Sequence, residues 1–300
     1  MSKTVGTNLT VSVSDDRVLS YREYGDPSGA AVVNCHGGLL CGLDVAPFDA
    51  VARELGFRII SPDRPGLGAS SAAPDRTTGT WADDVAALLD SLAIERCSVF
   101  GWSMGGQYAL ACGARLPERV DRVVVVAGAL PLDDEATFAE LNAMDRRLTK
   151  LSLHHPHIAG DTFRFLGEVA RRSPHVWAHL TTRGGVPDEV AALDALPEPG
   201  IAEAAAVALE HGHGMVDEYR AWVRPWGFTP ADVAVPTVIW QGDADELVPP
   251  AWGDRLAEAI SGARLERRRR RSLPRVRTPR RRARFVARVG RAPRTPSRGS

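Results

Sequence analysis

The sequence predicts an α/β fold: a mostly parallel sheet wrapped by helices, with a helical lid inserted between strands 6 and 7. Three observations carry this. Short runs such as AAVVNCHGG and VDRVVVVAGALP are mostly apolar, as expected of strands buried on both faces. In the first third of the chain these runs alternate with helical patterns, which implies crossover connections between parallel strands. From Leu132 to Phe228 the alternation stops, and helical segments follow one another with no clear strand between them.

The elements follow in order. LTVSVS and VLSYREYG read as two strands of an antiparallel edge. AAVVNCHGG ends in a glycine pair, and FRIISPDRPGLG is a strand entering a Pro/Gly loop. In TWADDVAALLDSLAI, Thr80 and Asp83 predict a capping box, and Val85, Leu88, Leu89 and Leu92 share one helical face. CSVFGWSMGGQYALACGARL reads as strand, tight turn and helix. In the insertion, Phe138, Leu141, Leu148 and Leu151 mark one apolar helical face, and AEAAAVALEHGHG reads as a helix ending in glycines. The strand rhythm resumes with VPTVIWQGDADELVP, followed by the helix AWGDRLAEAI and the start of a last strand, ARLE.

This order divides the chain into a first core segment (1–131), a helical cap or lid (132–230), a second core segment (231–266) and an Arg-rich tail (267–300). The tail holds 15 Arg and no Asp or Glu. The other 266 residues carry 22 basic and 37 acidic side chains, so a net charge of zero conceals an acidic body and a basic end. With almost no apolar periodicity, the tail is expected to be disordered. No run approaches the roughly 18 apolar residues of a membrane span. The N-terminus lacks a basic-then-apolar leader pattern. Cys35, Cys41, Cys97 and Cys112 have no metal-like spacing and read as buried thiols. A cytoplasmic protein without membrane association is expected.

The sharpest chemical signal is FGWSMGGQ. It fits G-x-S-x-G through Gly101, Ser103 and Gly105, with an apolar strand before it and a helix after. A serine on such a strained turn projects its hydroxyl into a site. The flanking positions must be glycine because neighbouring backbone passes too close for a Cβ. The first helical amides, including that of Met104, would face a developing negative charge.

With three further landmarks in order, the chain resembles the α/β-hydrolase fold family over roughly residues 9–266. NCHGG is similar to its oxyanion loop, DRPGLGAS to the turn after its fourth strand, and GDADELVP to the segment that carries its acid. The resemblance implies Ser103 as nucleophile, Asp245 rather than Asp243 as the orienting acid, and the amides of Gly38 and Met104 as the oxyanion hole. His36 is expected to brace the oxyanion loop, and Asp63 and Arg64 to tie down theirs. Serine at the elbow implies acyl chemistry on a small ester, lactone, amide or related substrate. It disfavours the branches that place a carboxylate there. No cofactor or metal is implied.

The resemblance also implies a catalytic His near position 272, and the sequence has none there. All eight histidines (His36, His154, His155, His157, His175, His179, His211 and His213) precede Asp245, and the last seven are expected on the surface or in lid packing. Two readings of the tail stand. One is a frame shift near Glu266: Arg-Ser-Leu at 271–273 can be encoded CGG-TCA-CTT, which, read one nucleotide later into the C of the following Pro codon, gives Gly-His-Phe. The other is a polyanion-binding tail, although it carries only Phe285 as an aromatic and no binding-domain motif, so no specific nucleic acid is expected. In either case the last strand is cut short after Glu266, and the chain is expected to be nearly inactive as given. A non-catalytic small-molecule binder on the same fold is the alternative.

Overall fold

The apolar runs do become the central strands. In the computed structural model, which describes residues 6–13, 16–181 and 200–268, eight strands form one sheet in the order β1-β2-β4-β3-β5-β6-β7-β8. They are β1 (Leu9–Ser12), β2 (Val18–Gly25), β3 (Ala30–Cys35), β4 (Phe57–Pro62), β5 (Cys97–Trp102), β6 (Val120–Val126), β7 (Thr237–Gly242) and β8 (Arg264–Arg268). β1 and β2 form the expected antiparallel edge, and every pairing from β4 to β8 is parallel. Val33, Ile60, Val99, Val123, Val125 and Ile239 are fully buried, so the sheet's middle is covered on both faces.

Helices α1 (Asp49–Glu54), α2 (Trp81–Ser91), α3 (Gly105–Arg115) and α10 (Pro250–Ala259) wrap this sheet. Between β6 and β7 lie α4 (Glu135–Ala139), α5 (Ala143–His154), α6 (Pro156–Arg172), α7 (Pro174–Thr181), α8 (Ile201–Ala208) and α9 (His213–Trp222), which is the helical insertion the sequence predicts. Among the described residues no helix is long and apolar enough to cross a membrane. All four cysteines are free and buried.

Four local expectations are corrected. Thr80 does not cap α2: it has helical dihedrals, and its hydroxyl donates back to the Thr77 carbonyl at 2.9 Å. A preceding turn starts the helix instead. The face drawn through Phe138, Leu141, Leu148 and Leu151 is broken up: Phe138 lies in α4, Leu141 in the link after it, and Leu148 and Leu151 in α5. Asn142 breaks it by taking an extended conformation and accepting the Asp145 amide as an N-cap. The glycines of EHGHG do not end one helix. Gly212, at φ +68°, is the hinge before α9, and Gly214 lies inside α9, where a Cβ would overlap the Gly66 carbonyl.

Finally, β8 does not stop at Glu266. Arg267 and Arg268, placed in the tail by the sequence reading, pair with Gln241 and Gly242 of β7. Arg267 also bridges Asp243 and Asp254, and the Arg268 guanidinium lies 4.5 Å from the centre of the Trp240 ring. An exposed edge strand tolerates arginine because its long stem packs while its head stays in water. The remainder of the tail, including position 272, lies outside the described residues.

Candidate active site

Ser103 stands one residue beyond β5 with φ +52°, a left-handed conformation that costs energy for any residue with a Cβ. Its amide donates to the Val126 carbonyl at 2.9 Å, and its own carbonyl accepts the Gly106 amide at 2.9 Å. The turn is thereby pinned to β6 on one side and to α3 on the other. The glycines are required sterically. A Cβ on Gly101 would overlap the Gly105 carbonyl, and one on Gly105 would overlap the carbonyl oxygens of Cys35 and His36. The start of α3 therefore lies directly against the end of β3.

That approach also brings Gly38 beside Met104. Met104 is the N-cap of α3, and a Cβ on Gly38 would lie 3.4 Å from the Met104 Cε. The loop after β3 and the N-terminus of α3, whose free amides favour negative charge, are therefore neighbours.

The His36 loop is braced rather than free. His36 is fully buried, and burial together with the Arg64 charge holds its pKa well below the usual range, so the ring is neutral. The Arg64 amide donates to Nε2 at 3.2 Å, which leaves Nδ1 to donate to the Gly37 carbonyl at 3.0 Å. With Nε2 already accepting, His36 is unsuited to serve as the base. The Arg64 guanidinium also donates to the carbonyls of His36 and Gly37, at 2.5 and 3.1 Å. Asp63, equally buried, receives two bonds from Arg22 Nη1 at 2.9 and 3.0 Å and the Gly42 amide at 2.7 Å. Both residues hold loops together, as expected.

Asp245 is 6% exposed and lies in the turn after β7. Its Oδ1 accepts the amides of Leu247 and Val248, both at 3.0 Å. Asp243 instead is exposed and engaged by Arg267. β5, β6 and β7 are adjacent and parallel, so Ser103 and Asp245 both stand beyond the carboxyl edge of the sheet, where α/β folds place their ligands. The seven insertion histidines, from His154 to His213, are all exposed.

Sequence reasoning missed three acidic groups near this site, Asp44 and Glu218 buried and Asp145 half-buried. Asp44, 2% exposed, accepts from Asn34 Nδ2, the Gly37 amide and Trp102 Nε1. Glu218 of α9 accepts from Arg64 at 2.7 Å and from Arg76 at 2.8 Å. Asp145 accepts from Asn142 and the Tyr219 hydroxyl, and burial pushes its pKa up. The one available signal was a charged residue on an otherwise apolar stretch, and that does not reveal its partners.

The model of the alpha/beta hydrolase fold family matches residues 30–269. An uncharacterized protein of Mycobacterium tuberculosis is 28% identical over 245 residues, which cover 80% of this chain and 68% of that protein. The 2-hydroxymuconate semialdehyde hydrolase of a Pseudomonas species is 40% identical over 74 residues, 24% of this chain and 26% of that enzyme. Among solved structures, the enol-lactonase of Burkholderia xenovorans superposes with a TM-score of 0.65 at 21% identity, covering 93% of this chain and 98% of that one. A match that spans most of the sheet and the whole insertion makes this chain a member of the alpha/beta hydrolase fold family.

Proposed function

We propose that this site belongs to a serine-type hydrolase acting on small acyl substrates such as esters, lactones or amides. In this reading Ser103 attacks the acyl carbon, the amides of Gly38 and Met104 hold the oxyanion, and Asp245 orients an imidazole. The observation that carries the reading is the left-handed Ser103 turn seated against the His36–Gly38 loop. A strained serine is retained where the strain places its hydroxyl. Relatives named as hydrolases and a neighbour named as a lactonase favour acyl chemistry. The acyl and leaving groups would be set by the helical insertion, acting as a lid.

The base is missing from the sequence, since no His follows Asp245. This chain would therefore be an impaired hydrolase, and a reading frame shifted near Glu266 is compatible with a Gly-His step at 271–272. The nucleotide sequence over codons 260–300 tests the frame directly. Activity is tested with p-nitrophenyl acetate. The chain is expected to match its Ser103→Ala variant without additives and to exceed it when imidazole is supplied. Ser103-dependent turnover without imidazole would overturn the impairment. Equal rates for the two proteins with imidazole would overturn the nucleophile assignment.

The missing histidine also favours a second reading, a binder that keeps the pocket without turnover. Tight retention of a small acyl ligand with no product would support it.

A further inference from the structure

The Asp44 carboxylate bridges the two halves of the proposed oxyanion site. One half is the loop after β3, whose Gly37 amide donates to Oδ2 at 3.2 Å. The other is the end of β5, where Nε1 of Trp102, the residue before Ser103, donates to the same oxygen at 2.7 Å. Oδ1 is held from behind by Asn34 Nδ2 at 2.8 Å, and that amide also donates to Ser61 Oγ at 2.8 Å. The Trp102 ring fills the space beside Gly37, where a Cβ would lie 2.9 Å from it. Three donors on three segments thus converge on one buried carboxylate, and two of those segments carry the expected catalytic groups.

We propose that Asp44 is a positioning residue that fixes the separation between the His36–Gly38 loop and the Ser103 turn. Its role rests on the serine-hydrolase reading for its catalytic consequence, but not for the clamp itself. Asp44 touches no reacting atom. It acts through the Gly37 amide, next to the Gly38 donor, and through the Trp102 indole, next to the nucleophile. A carboxylate suits this place because it only accepts, and the three groups that face it, Asn34 Nδ2, the Gly37 amide and Trp102 Nε1, are donors. An amide at position 44 would turn one acceptor into a donor facing another donor.

The test exploits that asymmetry. Asp44→Asn sets its new amide against either Asn34 or the Gly37–Trp102 pair. The double variant Asn34→Asp/Asp44→Asn exchanges the two groups. The amide at 44 then donates to a carboxylate at 34, its oxygen accepts from Gly37 and Trp102, and the Ser61 hydroxyl turns to donate. The probe is diethyl p-nitrophenyl phosphate with imidazole in the buffer. Ser103 Oγ forms a bond to phosphorus, its proton passes to imidazole, and p-nitrophenolate leaves and is counted. Labelling in Asp44→Asn is expected to slow by about 10- to 100-fold, the scale of a misplacement near the reacting atoms. The exchanged pair should return to within about threefold of the parent. The indole N–H resonance of Trp102, assigned by its loss in Trp102→Phe, should move in the single variant and return in the double.

A folded Asp44→Asn that labels at the parent rate overturns the proposal. So does an exchanged pair that restores the indole resonance without restoring the rate. If the single variant does not fold, the exchanged pair alone decides by the same two readouts. If the parent is not labelled at all, the nucleophile reading has failed, and the indole resonance decides the clamp: unchanged in Asp44→Asn, the clamp does not exist; shifted, it does.

Discussion

Glu218 accepts the Arg64 Nε–H at 2.7 Å, and solvent reaches neither side chain. The contact spans 154 residues and ties α9 of the helical insertion to the turn after β4. Arg76 donates to the other carboxylate oxygen at 2.8 Å, and the Arg64 guanidinium also lies 4.5 Å over the Tyr108 ring. Because Arg64 in turn holds the carbonyls of His36 and Gly37, the insertion and the His36–Gly38 loop share one buried side chain.

This geometry predicts a severe effect for Glu218→Ala. Two guanidiniums would remain buried without their counter-charge, and removing one partner from such a network costs about 3–5 kcal/mol. Urea unfolding should show a loss of that size. A change below about 1 kcal/mol would mean that the arginines find other acceptors or water.

The two buried carboxylates respond to pH in opposite directions. For Asp44, burial raises the pKa from 3.8 to about 6, against the hydrogen bonds from Trp102, Asn34 and Gly37 and the charge of Arg64. A raised carboxyl pKa means that the folded protein binds the extra proton. Stability from this group therefore declines as pH rises from about 4 to about 6 and is level above, a cost near 3 kcal/mol for the ionised form. For Glu218, burial also opposes ionisation, but Arg64 and Arg76 outweigh it and hold the pKa below the usual range. Its contribution is present above about pH 4.5 and is lost as pH falls. Accordingly, the Trp102 indole N–H should titrate with a midpoint near pH 6 in the parent and not in Asp44→Asn. A pH-independent resonance between 5 and 7 would contradict the assignment.

Features set by local sterics were readable from the sequence. Gly101, Ser103 and Gly105 announce the turn because only that spacing lets α3 approach β3. Val33, Val99 and Val123 announce buried strands because each lies in a short, mostly apolar run. Features set by distant partners were not readable. Glu218 sits in HGMVDEYRAW like any helical glutamate, and only the fold brings Arg64 and Arg76 to it. Asp44 follows a loop whose path depends on the Asp63–Gly42 bond, so its three donors could not be foreseen. The Thr80–Asp83 pattern failed for a related reason: its hydroxyl had a nearer acceptor in Thr77. β8 ran two residues longer than expected because β7 offers partners as far as Gly242 and acidic side chains beside them.

Supplying the missing base from solution separates a damaged site from an absent one. Imidazole diffusing to Ser103 should raise p-nitrophenyl acetate hydrolysis above that of Ser103→Ala, with a rate proportional to its concentration. The gain should be well below that of a tethered histidine, because effective molarities of positioned groups reach about 10⁵ M or more. Substituted imidazoles too bulky to pass the insertion should rescue less at equal basicity. Equal rescue by all of them would place the reaction on the surface rather than at this serine.

Gly105 offers a steric test of the joint between β3 and α3. Gly105→Ala would drive a Cβ into the Cys35 and His36 carbonyls, which are main-chain atoms with little room to yield. Overpacking of this kind costs about 1–3 kcal/mol, and the absence of a flexible neighbour puts this site at the upper end. Gly56 supplies the control. At φ +71° it has nothing within 4 Å of a Cβ, so Gly56→Ala should cost only the left-handed backbone strain, about 1–2 kcal/mol. The two variants should also differ in function. Gly105→Ala displaces the His36–Gly38 loop from Met104 and should slow phosphorylation of Ser103 in the imidazole-assisted reaction, whereas Gly56→Ala should leave it unchanged at equal folded fraction. If both variants lose stability equally and neither alters the labelling rate, close contact between α3 and the loop is not what fixes the oxyanion donors.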